Sequence, residues 1–355
     1  MKKMLFISLL IVFILSACKS APTAIPVVTQ AITDQPTDVT DPPAPEPTPY
    51  EPVTVKITGA TNMGFAPLFL AEHEGYFEKY GIVLEKIQFS RVVEALPLLA
   101  SGDLDVYSGS LHSGLINMIY LEPNVKVVAD RGSILPDECT YHAILVRKDL
   151  YDSGIITKPE DLKGQMISAT AAGQQGFQLS MYLEGSGITL DDVVFQPLPP
   201  ASYVDAFANQ SVAAIITAEP YITILEKAGN AVVISRMEDL GSFQLSVLAF
   251  GKGLTVDRPD IGARFMAAYL LGVKKYNEGK TEENVDILTA ATGEERSIIQ
   301  DTCWLPIKSD GMIDFAAVDV FQKWSVEQKV VDNLVTEEQF WDPSFLEAAE
   351  ALLTK

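Results

Sequence analysis

VTVKITGA (53–60), PLFLAEHEGYFEKYG (67–81), IVLEKIQF (82–89), VVEALPLLASG (92–102) and DLDVYSG (103–109) follow one another almost without a break. The first, third and fifth read as strands, while the second and fourth carry apolar residues at helical spacing. The pattern predicts one helix over 67–81 that stops at Gly81. LHSGLINMIYLE (111–122) and VKVVADRG (125–132) continue the alternation. A second series begins at HAILVRKDL (142–150) and runs through MISATA (166–171), GFQLSMYLEGSG (176–187), VVFQPL (193–198) and SYVDAFANQ (202–210). It closes with VAAIIT (212–217), PYITILEKAG (220–229) and AVVISR (231–236). QLSVLAFGKG (244–253) reads as one more strand, and the rest is mostly helical. Strands alternating with helices build parallel sheets covered on both faces. Two such series predict an α/β protein of two lobes, with crossing segments near 141–146 and 244–250. Lobe 1 is then 53–141 with 245–355, and lobe 2 is 142–244.

The chain has 355 residues, of which 48% are hydrophobic, so it can bury a large core. Its 26 Lys and Arg stand against 47 Asp and Glu, a net charge of -21, which repels phosphate backbones and excludes nucleic acid as a partner. Three cysteines without a CxxC predict neither a disulfide framework nor structural zinc. The histidines His73, His112 and His142 share no i, i+4 spacing, and His73 sits among acids on a solvated helix face, so no metal site is expected. GxGxxG and GxxxxGK[ST] are both absent, and no cofactor is expected.

The N-terminus reads separately. Lys2 and Lys3 precede an apolar run, LFISLLIVFIL (5–15), which as a helix would span roughly 16 Å, half a bilayer core. That is the h-region of a signal peptide over residues 1–17. Leu15-Ser16-Ala17-Cys18 resembles the lipobox of bacterial lipoproteins, which implies a diacylglyceryl group on Cys18 and an extracytoplasmic protein tethered to the cell membrane. Residues 19–52 hold nine prolines in 34 positions, a composition that favours an extended spacer. Residues 18–52 are therefore read as anchor and linker.

AEHEGYFEKYGIVLE (71–85), LASGDLDVYSGS (99–110), DLKGQMISATAAGQQ (161–175), LEGSGITLDDVVF (183–195) and VAAIITAEPY (212–221) together resemble the NMT1/THI5-like solute-binding proteins of ABC importers. That group takes up alkanesulfonates, taurine, nitrate, thiamin pyrimidine precursors and riboflavin. The resemblance covers about 53–340 and implies a type II periplasmic-binding fold, a monomer without catalysis that hands a small molecule to a permease and its ATPase. It also implies two other possibilities. One is a sulfonate- or nitrate-type anion binder, and the other is a desulfinase-like enzyme with Cys139 or Cys303 as nucleophile.

Ligands in such sheets sit at the carboxyl ends of the strands. The loops expected there are 58–67, 106–114, 169–176 and 216–221, and they contain no Lys or Arg. They offer amides, hydroxyls and aromatic rings, groups that suit a neutral heterocycle. Asn62, Phe65, Tyr107, Ser108, Ser110, Thr170, Gln174 and Tyr221 are the candidate ligand residues, with Trp304 reaching in from the C-terminal helices. Each has a plain structural alternative: Asn62 a turn, Ser108 and Ser110 a helix cap, Tyr107 the core. Arg131 and Arg147 are cations that could lean in from outside these loops. Riboflavin is the favoured ligand and a thiamin pyrimidine precursor the second. For the anchor, Cys18→Ser is expected to leave the body folded and shift the protein from membrane to soluble fraction; fractionation and immunoblotting check this.

Overall fold

The computed structural model describes residues 50–89 and 92–354. The expected signal peptide, Cys18 and residues 19–49 of the linker lie outside the described residues. The described residues form ten strands: β1 (Val53–Gly59), β2 (Ile82–Gln88), β3 (Val106–Ser110), β4 (Lys126–Ile134), β5 (His142–Arg147), β6 (Met166–Ser168), β7 (Val194–Phe195), β8 (Ala214–Ala218), β9 (Ala231–Arg236) and β10 (Phe243–Phe250). They form two five-stranded sheets, ordered β2-β1-β3-β10-β4 and β7-β6-β8-β5-β9. The fold is the expected two-lobed α/β architecture.

Each sheet contains one strand delivered from the other lobe. β5 is antiparallel to β8 and β9, and β10 is antiparallel to β3 and β4, whereas β1, β2 and β3 run parallel, as do β6, β7 and β8. Every residue of β5 and of β10 is buried, because each lies between two neighbours in the middle of its sheet. That explains why both read as continuous apolar runs rather than alternating ones. Of the segments 141–146 and 244–250, read from sequence as crossings, all but Tyr141 lie in these strands themselves. The connections are 135–141 and 237–242, bonded to each other where Thr140 Oγ1 donates to Glu238 Oε1 at 2.6 Å. Phe243 and Gln244 pair with Ile134 and Ser133, so they belong to the first sheet.

Alternation along β5 divides the second lobe's core. Ile144 and Val146 pack with Ile167 and Leu179 on one face, while Ala143 and Leu145 pack with Ile215 and Leu225 on the other. The first lobe has one larger core in which Phe250 meets Phe265 and Phe345 edge-on, with centroids 5.7 and 5.1 Å apart. The single helix predicted over 67–81 is two, Ala66–His73 and Tyr76–Lys79. Gly75 between them adopts φ 70°, a left-handed conformation that breaks the ladder.

Cys139 and Cys303 are joined in a disulfide across 164 residues of sequence, with Cα atoms 5.7 Å apart. This corrects the expectation of no disulfide: spacing rules see only local cysteine patterns, and here tertiary structure brings the partners together. Among the described residues no helix is long and apolar enough to cross a membrane, and no cluster of His, Cys, Asp and Glu could hold a metal.

His142 is buried and His112 is half-buried. His142 opens β5 and its Nδ1 bonds to Gln178 Oε1. His112 caps the helix Ser113–Leu121, its Nδ1 accepting from the Leu115 N–H at 3.3 Å. Burial pushes both imidazoles down from 6.5 to about 4. Their folded-state values lie below the unfolded one, so their contribution is complete above pH 6.5 and is lost as pH falls toward 4. Each is worth on the order of 3 kcal/mol at full extent. Melting temperature should therefore fall between pH 6.5 and 4, and less steeply in His142→Gln; parallel slopes would refute this account.

Candidate functional site

A cavity of about 290 Å³ lies where β1, β3 and β4 end beside the connection 135–141. Its wall includes Thr58, Asn62, Phe65, Phe89, Ser108, Ser110, Arg131, Tyr141 and Ser246, and no carboxylate. Thr58 Oγ1 donates to the Ser108 carbonyl at 3.0 Å and accepts the Ser108 N–H at 2.8 Å, which locks the ends of β1 and β3 together. The Ser108 side chain is fully buried, and its Oγ finds no partner. Asn62 caps the short 3-10 turn Met63–Phe65, its Oδ1 accepting the Gly64 N–H at 3.0 Å. Ligand contact and this turn are compatible, because the amide nitrogen of Asn62 stays free of that bond.

Arg131 is the cation of the cavity, and an irregularity in the sheet places it. Ser246 opposes Gly132 and Val247 opposes Asp130, so Arg131 is left unpaired between them. A bulged residue of this kind is turned out of the regular alternation. Gly132 at φ 151° makes the turn possible; a Cβ there would lie 2.0 Å from Leu305 Cδ2. The guanidinium stacks on Phe65, 4.6 Å from the ring centroid. Arg131 is only 5% exposed, and its Nε has no hydrogen-bond partner. Burial lowers its pKa, but a guanidinium stays charged in any case.

Three other arginines are neutralised. Arg147, Arg258 and Arg264 reach Asp149, Asp105 and Asp260, whereas among the described residues no carboxylate lies within ion-pair distance of Arg131. The adjacent Asp130 does not serve. Its carboxylate accepts from Gly132 N, Ser133 Oγ, Gln244 Nε2 and Lys308 N. Unpaired buried donors are rare in proteins and costly, and here two share one cavity. Such a cavity can bind an anion, with Arg131 and Ser108 donating to its oxygens.

Of the residues singled out from sequence, Asn62, Phe65, Ser108 and Ser110 line the cavity. Tyr107 is wholly buried beneath it, donating from its hydroxyl to the Ser110 carbonyl at 2.8 Å, so it offers no stacking face. Trp304 stacks instead on Tyr276 at 5.2 Å and donates to the Ile299 carbonyl. Thr170 is exposed on lobe 2, where its N–H donates to Gln175 Oε1. Gln174 is half-buried and donates across the lobes to the Leu245 carbonyl at 2.6 Å. Tyr221 meets Tyr203 edge-on. Thr58, Phe89, Arg131, Tyr141 and Ser246 were not among the candidates. The signal for Arg131 was an Asp-Arg-Gly step inside the otherwise apolar strand VKVVADRG. Cys139 and Cys303, considered as nucleophiles, are consumed by their disulfide.

A side chain at Gly64 would place its Cβ 2.9 Å from Arg131 Nη2 and 2.9 Å from Asn62 Oδ1. Gly64→Ala is expected to displace the guanidinium at a stability cost of roughly 1–3 kcal/mol, since both neighbours are held in place. Ligand titration beside a thermal melt separates the two effects; unchanged affinity would show that the guanidinium does not touch ligand.

The NMT1/THI5-like family model matches residues 62–278. No curated protein matches the sequence. Among solved structures, a ligand-binding component of an ABC-type import system from Staphylococcus aureus, with zinc bound, superposes with a TM-score of 0.68 at 17% identity, covering 83% of this chain and 98% of that one. The alkanesulfonate-binding protein SsuA from Xanthomonas axonopodis pv. citri, bound to MOPS, gives 0.66 at 18% identity, covering 82% and 99%. The desulfurization enzyme DSZB gives 0.59 at 16% identity, covering 84% and 99%.

Proposed function

We propose that this chain, which belongs to the NMT1/THI5-like family, is the solute-binding component of an ABC importer and captures a compact anion at Arg131. The observation that carries the reading is a buried guanidinium, unpaired among the described residues, in the wall of a cavity without carboxylates. Leaving a charge dry and unmatched is expensive, and an incoming anion removes that penalty. Binding is then driven from two directions: the ligand supplies the missing charge, and the site supplies donors already oriented by the sheet. A volume of about 290 Å³ lies at the lower edge of the ~300–1,000 Å³ typical of ligand pockets. It suits a sulfonate, nitrate or small carboxylate better than riboflavin or a thiamin pyrimidine precursor, the neutral heterocycles favoured from the loops alone.

The role is transport rather than catalysis. Both thiols that could act as nucleophiles are oxidised to a disulfide, and a disulfide fits an oxidising, extracytoplasmic location. The lipobox at Cys18 would hold the body at the membrane surface, within reach of a permease and its ATPase, and the binding unit would be a monomer.

Calorimetric titration with an alkanesulfonate, nitrate, riboflavin and a thiamin pyrimidine precursor tests the reading in wild type and in Arg131→Gln. An anion should bind wild type, and Arg131→Gln should weaken it by at least about 30-fold, the low end of the ~2–5 kcal/mol lost with one partner of a buried charge pair. Circular dichroism establishes that the variant is folded. Tight riboflavin binding that survives Arg131→Gln would overturn the proposal.

A further inference from the structure

The cavity lies on lobe 1, but one wall belongs to the connection between the lobes: Tyr141 is its last residue before β5. Two residues earlier stands Cys139, bridged to Cys303 in the segment that follows the helix Arg296–Asp301. From this bridge a chain of bonds runs back to Tyr141. The Cys303 N–H donates to Glu219 Oε1 at 3.4 Å, and the Glu219 N–H donates to the Tyr141 carbonyl at 2.9 Å. Glu219 is held in turn by the Thr223 N–H and hydroxyl, at 3.0 and 2.8 Å. Nearby, Lys227 of lobe 2 pairs with Asp301 at 2.5 Å.

A second junction between the lobes is built without covalent bonds. Gln174 donates to the Leu245 carbonyl, and Phe177, one helical turn later, is 3% exposed between Phe243, Phe321 and Trp324, with centroids 5.4, 5.4 and 5.3 Å away. Both junctions between the lobes can part and re-form, but the disulfide holds the connection permanently against the segment of lobe 1 that carries Cys303. We propose that the Cys139–Cys303 disulfide is a positioning device for the binding cavity. It fixes the connection 135–141, keeps Tyr141 beside Arg131, and restricts lobe separation to rotation that slides Phe177 in its aromatic box. The claim about lobe motion stands by itself; the claim about ligand release rests on the anion reading given above.

The test compares the full chain with Cys139→Ala/Cys303→Ala, carrying fluorophores on noncanonical residues at exposed Tyr120 of lobe 1 and Tyr151 of lobe 2. Single-molecule energy transfer should give one narrow distribution in the bridged protein and a broader one, extending to longer distance, in the unbridged variant. Release of a bound alkanesulfonate, followed by stopped flow, should be about tenfold faster without the bridge, with little change in association. Should the double variant not fold, Glu219→Ala, which keeps the disulfide and the backbone bond to Tyr141 but removes the carboxylate that accepts from the Cys303 N–H, is expected to speed release in the same direction by a smaller factor. Identical distance distributions with and without the bridge overturn the proposal, as do release rates unmoved in every folded variant. If alkanesulfonate and nitrate bind neither form, the anion reading fails, and the distance distributions still decide the role of the bridge.

Discussion

A carboxylate with no access to water organises the end of β4. Asp130 is fully buried and receives four hydrogen bonds from three separate stretches of chain: its own strand, Gln244 at the start of β10, and the backbone of Lys308. Burial raises its pKa even against those four donors, so the desolvation cost is the larger effect. Charge-assisted bonds of this kind are worth ~1.5–3 kcal/mol each, enough to make the ionised form tolerable but only while all are kept. Because the donors belong to different segments, Asp130 fixes the position of β10 and of the C-terminal region relative to β4. The bulge that turns Arg131 toward the cavity lies one residue away. Two adjacent residues of opposite charge are thus both buried; the acid is saturated and the base is left open.

The alternation of strands and helices was legible because period two and period 3.6 differ plainly over short windows, as in VTVKITGA against PLFLAEHEGYFEKYG. The two strands exchanged between lobes were harder. HAILVR and FQLSVLAF are buried on both faces, so they carry no alternation to distinguish a strand from a connection. The cavity was half legible. Residues in loops after parallel strands, such as Asn62 and Ser108, can be found from strand order. Arg131 could be named only beside Arg147 as a cation able to lean in, because its direction depends on a register slip against β10 that no single-strand pattern contains. Tyr107 and Trp304 were placed at the ligand for their chemistry, yet both spend their polar atoms on nearby backbone carbonyls. Pairing of Cys139 with Cys303 depends on contacts between distant parts of the sequence.

The scaffold is shared with an enzyme as well as with binding proteins, so the sheets by themselves do not decide function. The decision comes from individual side chains. Both candidate thiols are bridged and a cation, unpaired among the described residues, stands at the strand ends, and these two observations support the proposed reading of the cavity as a site of recognition.

The burial of Arg131 also shapes the encounter that precedes binding. A chain with net charge -21 repels anions at long range, and the attraction of one guanidinium that is 5% exposed is felt only at the cavity mouth. Dissolved salt screens the long-range repulsion within a Debye length of ~8 Å at physiological strength, while the dry contact inside is screened far less. On the anion reading proposed above, capture should thus quicken as ionic strength rises, the reverse of steering by a basic surface. On that reading the acidic exterior slows every anion alike and leaves discrimination to the few donors at the end of the sheet.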